Sequence, residues 1–204
     1  MTIAPHLVGQ DLIDYLLGRD DLTVDDIADL PEDLRYELID GRLVLSPVAL
    51  PIHQTISMKT GIALEEHCPD DIVVNVEQAI LLNPSNEFRP DVMVFHEEGA
   101  GRSPVLAADV LLVVEVISPS SKDFDREDKL KRYADLGIPA YWIIDPLAER
   151  VSFSQFLLGP EGSYQRRLQA DGLVAVDHPW EVTLDLPAWT QKRDRINQKA
   201  RTRR

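Results

Sequence analysis

The sequence predicts a single α/β or α+β domain with a mixed central β-sheet flanked by helices. Predicted elements follow one another as helix, hairpin, helix, strands, helix and strands, which is the order of a layered domain. Residues 109–117 are almost all β-branched or leucine, which is typical of a central strand covered on both faces. Gly137 and Pro139 then end a helix just before the next apolar strand.

Length and composition favour one globular domain. The chain has 204 residues, of which 44% are apolar and 27% charged, so it can build a full core and is neither disordered nor fibrous. We expect a single domain over residues 1–190, with residues 1–22 as a helical extension and residues 191–204 as a basic tail.

The sequence also argues against several classes of protein. Its apolar stretches are far shorter than a membrane span, and its first residues lack the basic start and apolar core of a signal peptide. Cys68 is the only cysteine, which excludes an internal disulfide and a cysteine-based zinc site. We therefore expect a soluble cytoplasmic protein with no membrane partner.

Local signals define the elements of the N-terminal half. Leucine and isoleucine residues at helical spacing predict a first helix, and Thr23 is a good N-cap for a second helix that ends at Pro31. Asp40 and Gly41 between two apolar runs predict a hairpin turn. A helix is predicted over 53–67, with apolar positions at Ile56, Met58, Ile62 and Leu64.

The rest of the chain is predicted to be rich in strands. One helix, over 124–136, interrupts them. The strands are predicted over residues 71–82, 91–95, 109–117, 141–144, 151–158, 164–168, 173–176 and 182–184.

The charge distribution is uneven. The net charge is −14, which by itself argues against a polyanionic partner such as DNA. Residues 192–204, however, carry seven basic side chains and one acid; subtracting that +6 leaves −20 on residues 1–191. The tail is therefore either a phosphate-binding arm or a solvated end, and acids that hold metal ions would invert the local field.

Two acids stand out because of where they occur. Glu115 interrupts a strand that is otherwise apolar on both faces, and a buried carboxylate requires a partner, a proton or a metal ion. Asp91 opens another apolar strand, where an acid is as often a turn residue. Acids on neighbouring strands can converge at one end of a sheet and bind magnesium, with Glu37 as a third candidate.

The helix after Glu115 offers a cation. Asp125, Lys129 and Tyr133 are spaced four residues apart and so share one helix face, either as an ordinary salt-bridged surface or as a lysine and a phenol directed at the acids. A lysine there can balance charge that develops on a phosphate. Lys122 and Lys131 are competing candidates, from the preceding turn and from another face.

Four motifs occur in order along the chain. They are Arg89-Pro90-Asp91-Val92, Val114-Glu115-Val116-Ile117-Ser118-Pro119-Ser120-Ser121, Asp125-x3-Lys129-x3-Tyr133, and Gly137-Ile138-Pro139-Ala140-Tyr141-Trp142-Ile143-Ile144-Asp145-Pro146. Upstream of them are Tyr36-Glu37-Leu38-Ile39-Asp40-Gly41 and the stretch from Ser46-Pro47 to His53. Together these segments, which span roughly residues 22–186, resemble the Uma-two-type restriction endonucleases of the PD-(D/E)XK nuclease superfamily.

The resemblance implies a restriction-endonuclease-like core and a set of site residues. Asp91 and Glu115 match the two metal-binding acids of the superfamily, and Glu37 matches an acid from the N-terminal part. Ile117 stands where the superfamily usually has its lysine, which implies that Lys129 has taken over that role. The metal, Mg²⁺ or Mn²⁺, would also contact the Val116 carbonyl.

The remaining expectations concern supporting residues and partners. Asp125 and Tyr133 would orient Lys129, and the resemblance places His53 near the site, although a lone histidine more often caps or packs. The leading hypothesis is a magnesium-dependent endonuclease acting on DNA as a homodimer. Two alternatives stay open: a catalytically lapsed DNA- or protein-binding module on the same fold, and a hydrolase of smaller phosphate esters.

Overall fold

The structure, a computed structural model, describes residues 9–31, 34–46, 49–119 and 127–201. Its α-helices combine with three sheets, one of which runs through the centre of the molecule. The helices are α1 (Gln10–Leu17), α2 (Pro51–Glu65), α3 (Lys129–Asp135) and α4 (Leu186–Arg201). The strands are β1 (Tyr36–Ile39), β2 (Arg42–Leu45), β3 (Ile72–Val76), β4 (Ile80–Asn83), β5 (Asn86–Phe88), β6 (Val92–His96), β7 (Val105–Leu106), β8 (Val110–Val116), β9 (Ala140–Asp145), β10 (Ser152–Leu158), β11 (Tyr164–Ala170), β12 (Leu173–Val176) and β13 (Val182–Asp185).

The central sheet has six strands in the order β11-β10-β9-β8-β6-β3. Only β8 and β9 pair in parallel, and α3 lies in the connection between them, as a parallel crossover requires. The other neighbours are antiparallel. The predicted mixed sheet is therefore present, and β8 is at its interior as the apolar run of residues 109–117 indicated.

Alternate residues of β8 serve the two faces of this sheet. Val114 and Val116 pack in a cluster that includes Ile56 of α2 and Trp189 of α4. Val113, on the other face, packs in a cluster with residues of β4, β5 and α3. Because both faces are covered, the strand must be apolar throughout, and a charged residue within it is conspicuous.

A second sheet, in the order β2-β1-β5-β4-β7, carries the N-terminal part of the fold. The predicted Asp40-Gly41 turn joins β1 and β2, and both residues have positive φ, 49° and 74°. Gly41 is required there for a second reason: a Cβ atom would lie 2.8 Å from the Asp20 carbonyl oxygen. Leu38 and Leu43 of this hairpin pack against α1 in a separate small core.

The predicted elements agree with the structure at most positions, with informative differences. Residues 71–82 form two strands in different sheets because Glu77, at φ 53°, turns the chain between β3 and β4. The helix predicted after Thr23 is a short 3₁₀ turn over Val24–Ile27. In α2, Ile56 and Leu64 are buried, whereas Met58 and Ile62 are 55% and 62% exposed on another face.

The residues predicted as a basic tail begin within a helix. α4 runs through Arg201, so the predicted boundary at residue 191 falls inside this element, and the tail is helical as far as it is described. Trp189 packs α4 on the face of the sheet opposite to Tyr133 of α3. No helix was predicted here because most residues of this segment are charged or polar.

Arg193 has a structural role that its place in a basic run conceals. Its side chain is buried and donates hydrogen bonds to the carbonyl oxygens of Pro146, Ala148 and Glu149 at 2.6–2.9 Å. These bonds join α4 to the loop after β9. One of the seven basic residues is thus unavailable to a phosphate.

Replacing Arg193 with methionine is expected to destabilise the fold. The change leaves three carbonyl oxygens without their charged donor, so the free energy of unfolding should fall by about 2–3 kcal/mol. Urea unfolding measures the loss. Arg195→Met is the matched control, because Arg195 is exposed on the same helix and its loss should cost less than about 0.5 kcal/mol. Equal stability of the two variants would contradict this role of Arg193.

Candidate active site

Asp91 and Glu115 lie side by side at the ends of two paired strands. In the antiparallel ladder of β6 and β8, Val92 pairs with Val114 and Met93 with Val113. Continuing that register by one residue places Asp91 opposite Glu115, which brings the side chains to the same face. The Val116 N–H donates to Asp91 Oδ2 at 2.6 Å and holds the two strand ends together.

Glu115 is buried and is held by two side chains from α3. Only 3% of the residue is exposed. Its Oε1 accepts hydrogen bonds from Lys129 Nζ at 2.9 Å and from the Tyr133 hydroxyl at 3.2 Å. The i, i+4 spacing of Lys129 and Tyr133 thus directs both side chains to one carboxylate oxygen. This agrees with the prediction that this helix face directs a lysine and a phenol at the acids.

Lys129 joins Glu115 to Glu37. Its ammonium is also 2.9 Å from Glu37 Oε1, and its side chain is only 5% exposed. Glu37 Oε1 accepts a further bond from the Arg89 backbone N–H at 3.0 Å. A buried lysine between two carboxylates remains charged only because both partners compensate the loss of hydration. Two acids and one cation from three separate elements form a single ionic group.

His53 lies beside Asp91 and Val116. Its Nε2 is 2.8 Å from the Val116 carbonyl oxygen and 3.3 Å from Asp91 Oδ2. A carbonyl oxygen only accepts, so Nε2 carries the hydrogen and donates it. His53 comes from the first turn of α2, and the structure thereby places it among the predicted site residues rather than in a capping or packing position.

The donor atoms in this region suit a hard divalent cation. Asp91 and Glu115 are opposite each other at the ends of β6 and β8, and His53 Nε2 contacts both Asp91 and the Val116 carbonyl. Magnesium prefers carboxylate and carbonyl oxygens of this kind. In the described part of the chain, Asp91 Oδ1 accepts no hydrogen bond. No three acids, histidines or cysteines converge into a cage among the described residues. A cation would therefore be completed by water and substrate oxygens, as magnesium sites commonly are.

A second ion pair sets the position of α3. Arg132 donates to both carboxylate oxygens of Asp40, at 2.8 and 2.6 Å, and to Asn86 Oδ1 at 3.0 Å. The Asp40 N–H donates to the same Asn86 oxygen. Asp40 follows Glu37 on the hairpin, and Arg132 follows Lys129 on α3. The Arg132–Asp40 pair is therefore a clamp that fixes the two elements that bring Glu37 and Lys129 together. We call Glu37, Asp91, Glu115 and Lys129 the acid cluster.

The clamp predicts a pH-dependent contribution to stability. The hydrogen bond from Arg132 holds the pKa of the Asp40 carboxyl below its usual range. The contribution is thus complete above the ordinary aspartate pKa of about 4 and is lost as the pH falls through the lowered value. Arg132→Gln should cost about 0.5–1 kcal/mol at pH 6, since Asp40 is exposed, and less at pH 3.

Urea unfolding of both proteins at the two pH values tests this prediction. Arg150→Gln is the control, because Arg150 contacts Asp171 only at 3.7 Å on the surface. Wild type and Arg132→Gln should differ in their free energy of unfolding by more at pH 6 than at pH 3. If the difference is the same at both pH values, the ion pair with the Asp40 carboxylate does not contribute to stability.

The structure brings together most of the residues that the sequence selected. Its site contains Glu37, Asp91, Glu115, Val116, Lys129, Tyr133 and His53. Asp125 and Lys122 lie outside the described residues, and Lys131 is exposed on another face of α3.

Sequence reasoning assigned no role to Arg89 or Arg132. Arg89 had a weak signal, since it stands two residues before Asp91 in the motif. Arg132 had none, because its contact with Asp40 joins residues 92 positions apart.

Comparison with known families supports the resemblance seen in the motifs. A family model described as "Uma2: Putative restriction endonuclease" matches residues 24–191, which is most of the chain. No curated protein matches the sequence. The matched span includes all of the site residues described above.

A solved structure shares the fold. It is a crystal structure of "a putative nuclease belonging to DUF820" from Anabaena variabilis ATCC 29413, with 18% sequence identity and a TM-score of 0.62. The alignment covers 83% of this chain and 99% of that chain. At this identity the similarity concerns the fold, and it confirms the predicted class of mixed sheets flanked by helices.

Proposed function

Since the chain belongs to the Uma2 family, whose description indicates nuclease-like function, we propose that it is a metal-dependent endonuclease that hydrolyses DNA phosphodiester bonds. The observation that carries the proposal is the acid cluster. Asp91 and Glu115 are adjacent across two strands, and a buried lysine lies on the second acid. This combination of two acids and an ammonium suits metal-assisted phosphodiester hydrolysis, in which a bound cation and a further positive charge stabilise the developing charge on the phosphate.

Each side chain has a role that its contacts support. Asp91, Glu115 and the Val116 carbonyl would hold Mg²⁺ or Mn²⁺, and Glu37 would bind an outer water or a second ion. When bound, such a cation polarises the phosphate and lowers the pKa of a coordinated water. His53 donates to the Val116 carbonyl oxygen and lies 3.3 Å from Asp91 Oδ2, so it would orient one proposed ligand and contact a second.

Lys129 would act on the phosphate itself. Its ammonium is shared by Glu37 and Glu115, so it can exchange one carboxylate for a phosphate oxygen without losing all of its compensation. There it would neutralise charge that builds up as the attacking oxygen bonds to phosphorus. Tyr133, which donates to the same Glu115 oxygen, would keep that carboxylate oriented during the exchange.

We further propose that the enzyme acts as a homodimer. Met58, Ile62 and Val76 form an exposed apolar surface beside β3, which is an edge strand of the central sheet. Unprotected apolar edges favour association. Light scattering on wild type and on Ile62→Glu tests the proposal, which expects a dimer that the charged variant weakens; a monomeric wild type would overturn it.

The test of function is metal-dependent cleavage of supercoiled plasmid. Nicked or linear product should form with Mg²⁺ or Mn²⁺ and should not form with EDTA. Absence of cleavage with either metal, on several plasmids, would contradict a general endonuclease. Release of phosphate from a small ester without plasmid cleavage would instead favour the smaller-substrate hydrolase. Metal-independent DNA binding without any hydrolysis would favour a lapsed module.

In the described residues no helix is long and apolar enough to cross a bilayer.

A further inference from the structure

A polar cleft of about 430 Å³ opens beside the acid cluster. Two arginines and one glutamate contribute to its wall, together with an aromatic ring and a serine. The lining residues are Leu34, Arg35, Tyr36, Ser46, Val76, Glu77 and Arg89.

Backbone contacts connect the cleft wall to the proposed catalytic acids. The Arg89 N–H donates to Glu37 Oε1 at 3.0 Å, and the Glu77 N–H donates to the Asp91 carbonyl oxygen at 3.3 Å. Tyr36 immediately precedes Glu37 on β1. A molecule in the cleft would therefore contact residues whose backbone is bonded to the proposed catalytic acids.

Arg89 is held rigidly in the wall. Its guanidinium lies over the Tyr36 ring at 4.6 Å, and Nη2 contacts Glu87 at 3.2 Å. Its Nε has no hydrogen-bond partner in the described part of the chain. Burial raises the pKa of the Glu87 carboxyl, the acid that contacts Arg89. The result is a planar, oriented guanidinium, the group that arginine uses to bind phosphates.

Glu77 occupies the cleft in an unusual conformation. It has φ 53°, a left-handed value that costs a side-chain-bearing residue about 1 kcal/mol. Its Oε1 accepts from Arg35 Nη1 at 2.6 Å and from Gln54 Nε2 at 2.8 Å. The Glu77 carboxylate thus accepts from two donors that converge on one oxygen, and one of them is the Arg35 guanidinium. A phosphate oxygen could accept from the same two donors.

We propose that this cleft binds a backbone phosphate of the nucleic-acid strand, adjacent to the phosphodiester at the acid cluster, through Arg35 and Arg89. The Glu77 carboxylate holds the Arg35 donor in place and is displaced when the phosphate enters. The inference rests on the proposed nuclease function. It also explains how a chain with a net charge of −14 can bind DNA. The net charge repels the phosphates, but guanidinium groups in the cleft attract a phosphate at short range.

Binding of a short, labelled DNA duplex in EDTA, followed by fluorescence anisotropy, tests the cleft without cleavage. Arg35→Gln should weaken binding on the order of tenfold, the value of one charge-assisted contact, and lower the salt slope by about 1. The loss should be the same for two unrelated duplex sequences, since a phosphate contact reads no base. Arg89→Lys, which keeps the charge but loses the planar fork, should weaken binding less.

Glu77→Gln should act in the opposite direction. It releases Arg35 and raises the net charge of the cleft by one, so duplex binding should tighten several-fold. Arg150→Gln is the control for loss of an exposed, ion-paired arginine elsewhere and should bind like wild type. Thermal melting checks that each variant is folded. Because Arg35 is exposed, its replacement should not unfold the protein, and Arg35→Gln therefore tests phosphate binding in the cleft even if Arg89→Lys is unstable.

Two results would overturn the inference. One is that Arg35→Gln equals Arg150→Gln in DNA affinity and salt slope, and the other is that Glu77→Gln weakens DNA binding instead of tightening it. Plasmid cleavage by the wild type, measured separately with Mg²⁺, keeps the two proposals apart. If the wild type cleaves plasmid but Arg35→Gln binds DNA as tightly as the wild type, only the cleft proposal is wrong. If Arg35→Gln weakens DNA binding but the wild type cleaves no plasmid, only the nuclease proposal is wrong.

Discussion

Glu115→Gln is expected to reduce metal-dependent plasmid cleavage by about 10²–10³-fold, the scale seen when a group that stabilises transition-state charge is removed. The amide keeps the size of the side chain but loses the charge that a cation requires. It also removes one of the two carboxylates that compensate Lys129. Initial rates of nicking at saturating Mg²⁺ measure the effect, and titration with Mn²⁺ measures the accompanying loss of metal affinity.

The control must separate lost chemistry from lost stability. Asp185→Ala serves this purpose because the Asp185 carboxylate accepts the Ala188 N–H at the start of α4, whose neighbouring residues pack on the opposite face of the sheet. Its loss should cost about 1 kcal/mol of stability and leave cleavage nearly unchanged. Cleavage by Glu115→Gln at the wild-type rate would eliminate Glu115 from the mechanism and indicate that any nicking comes from elsewhere.

Lys129→Met is expected to impair both stability and cleavage. Removing the ammonium leaves Glu37 and Glu115 as buried carboxylates without their shared cation, and breaking such a group costs about 3 kcal/mol or more. Cleavage should fall by about 10²-fold or more, because the charge near the phosphate is lost. Urea unfolding and initial nicking rates measure the two effects.

Two further variants sharpen the Lys129 prediction. Lys131→Met removes an exposed lysine from the same helix and should leave both quantities near their wild-type values. Adding Glu37→Gln to Lys129→Met removes one uncompensated acid, so it should restore part of the stability without restoring cleavage. If the double variant is no more stable than the single one, Glu37 and Lys129 do not interact in the way that their 2.9 Å separation indicates.

The site was predictable from the sequence where local pattern and residue chemistry coincide. Glu115 was recognisable because a charged residue in a two-sided apolar strand requires a partner, and the structure supplies Lys129 and Tyr133. Helical spacing was enough to place those two side chains on one face. The hairpin at Asp40 and Gly41 was equally local, because its positive φ angles demand residues of that type.

Other parts of the site depend on contacts between distant segments. Arg132 clamps Asp40 across 92 residues, and Arg35 meets Glu77 across 42 residues. Neither pair leaves a periodic trace in the sequence. The turn at Glu77 was also hidden, because glutamate has no preference for a left-handed conformation, and residues 71–82 therefore resembled one strand.

The sequence by itself predicted the fold class, the central strand and the need of Glu115 for a partner, because these follow from hydrophobic period and the cost of burying charge. Its motifs carried the resemblance to the family, which the family model confirms. Only the tertiary structure decided which residues meet. The register of β6 and β8 placed Asp91 opposite Glu115, and the packing of α4 buried Arg193. The cleft of Arg35, Glu77 and Arg89 likewise exists only after folding, since burial and cross-strand register are properties of the whole chain.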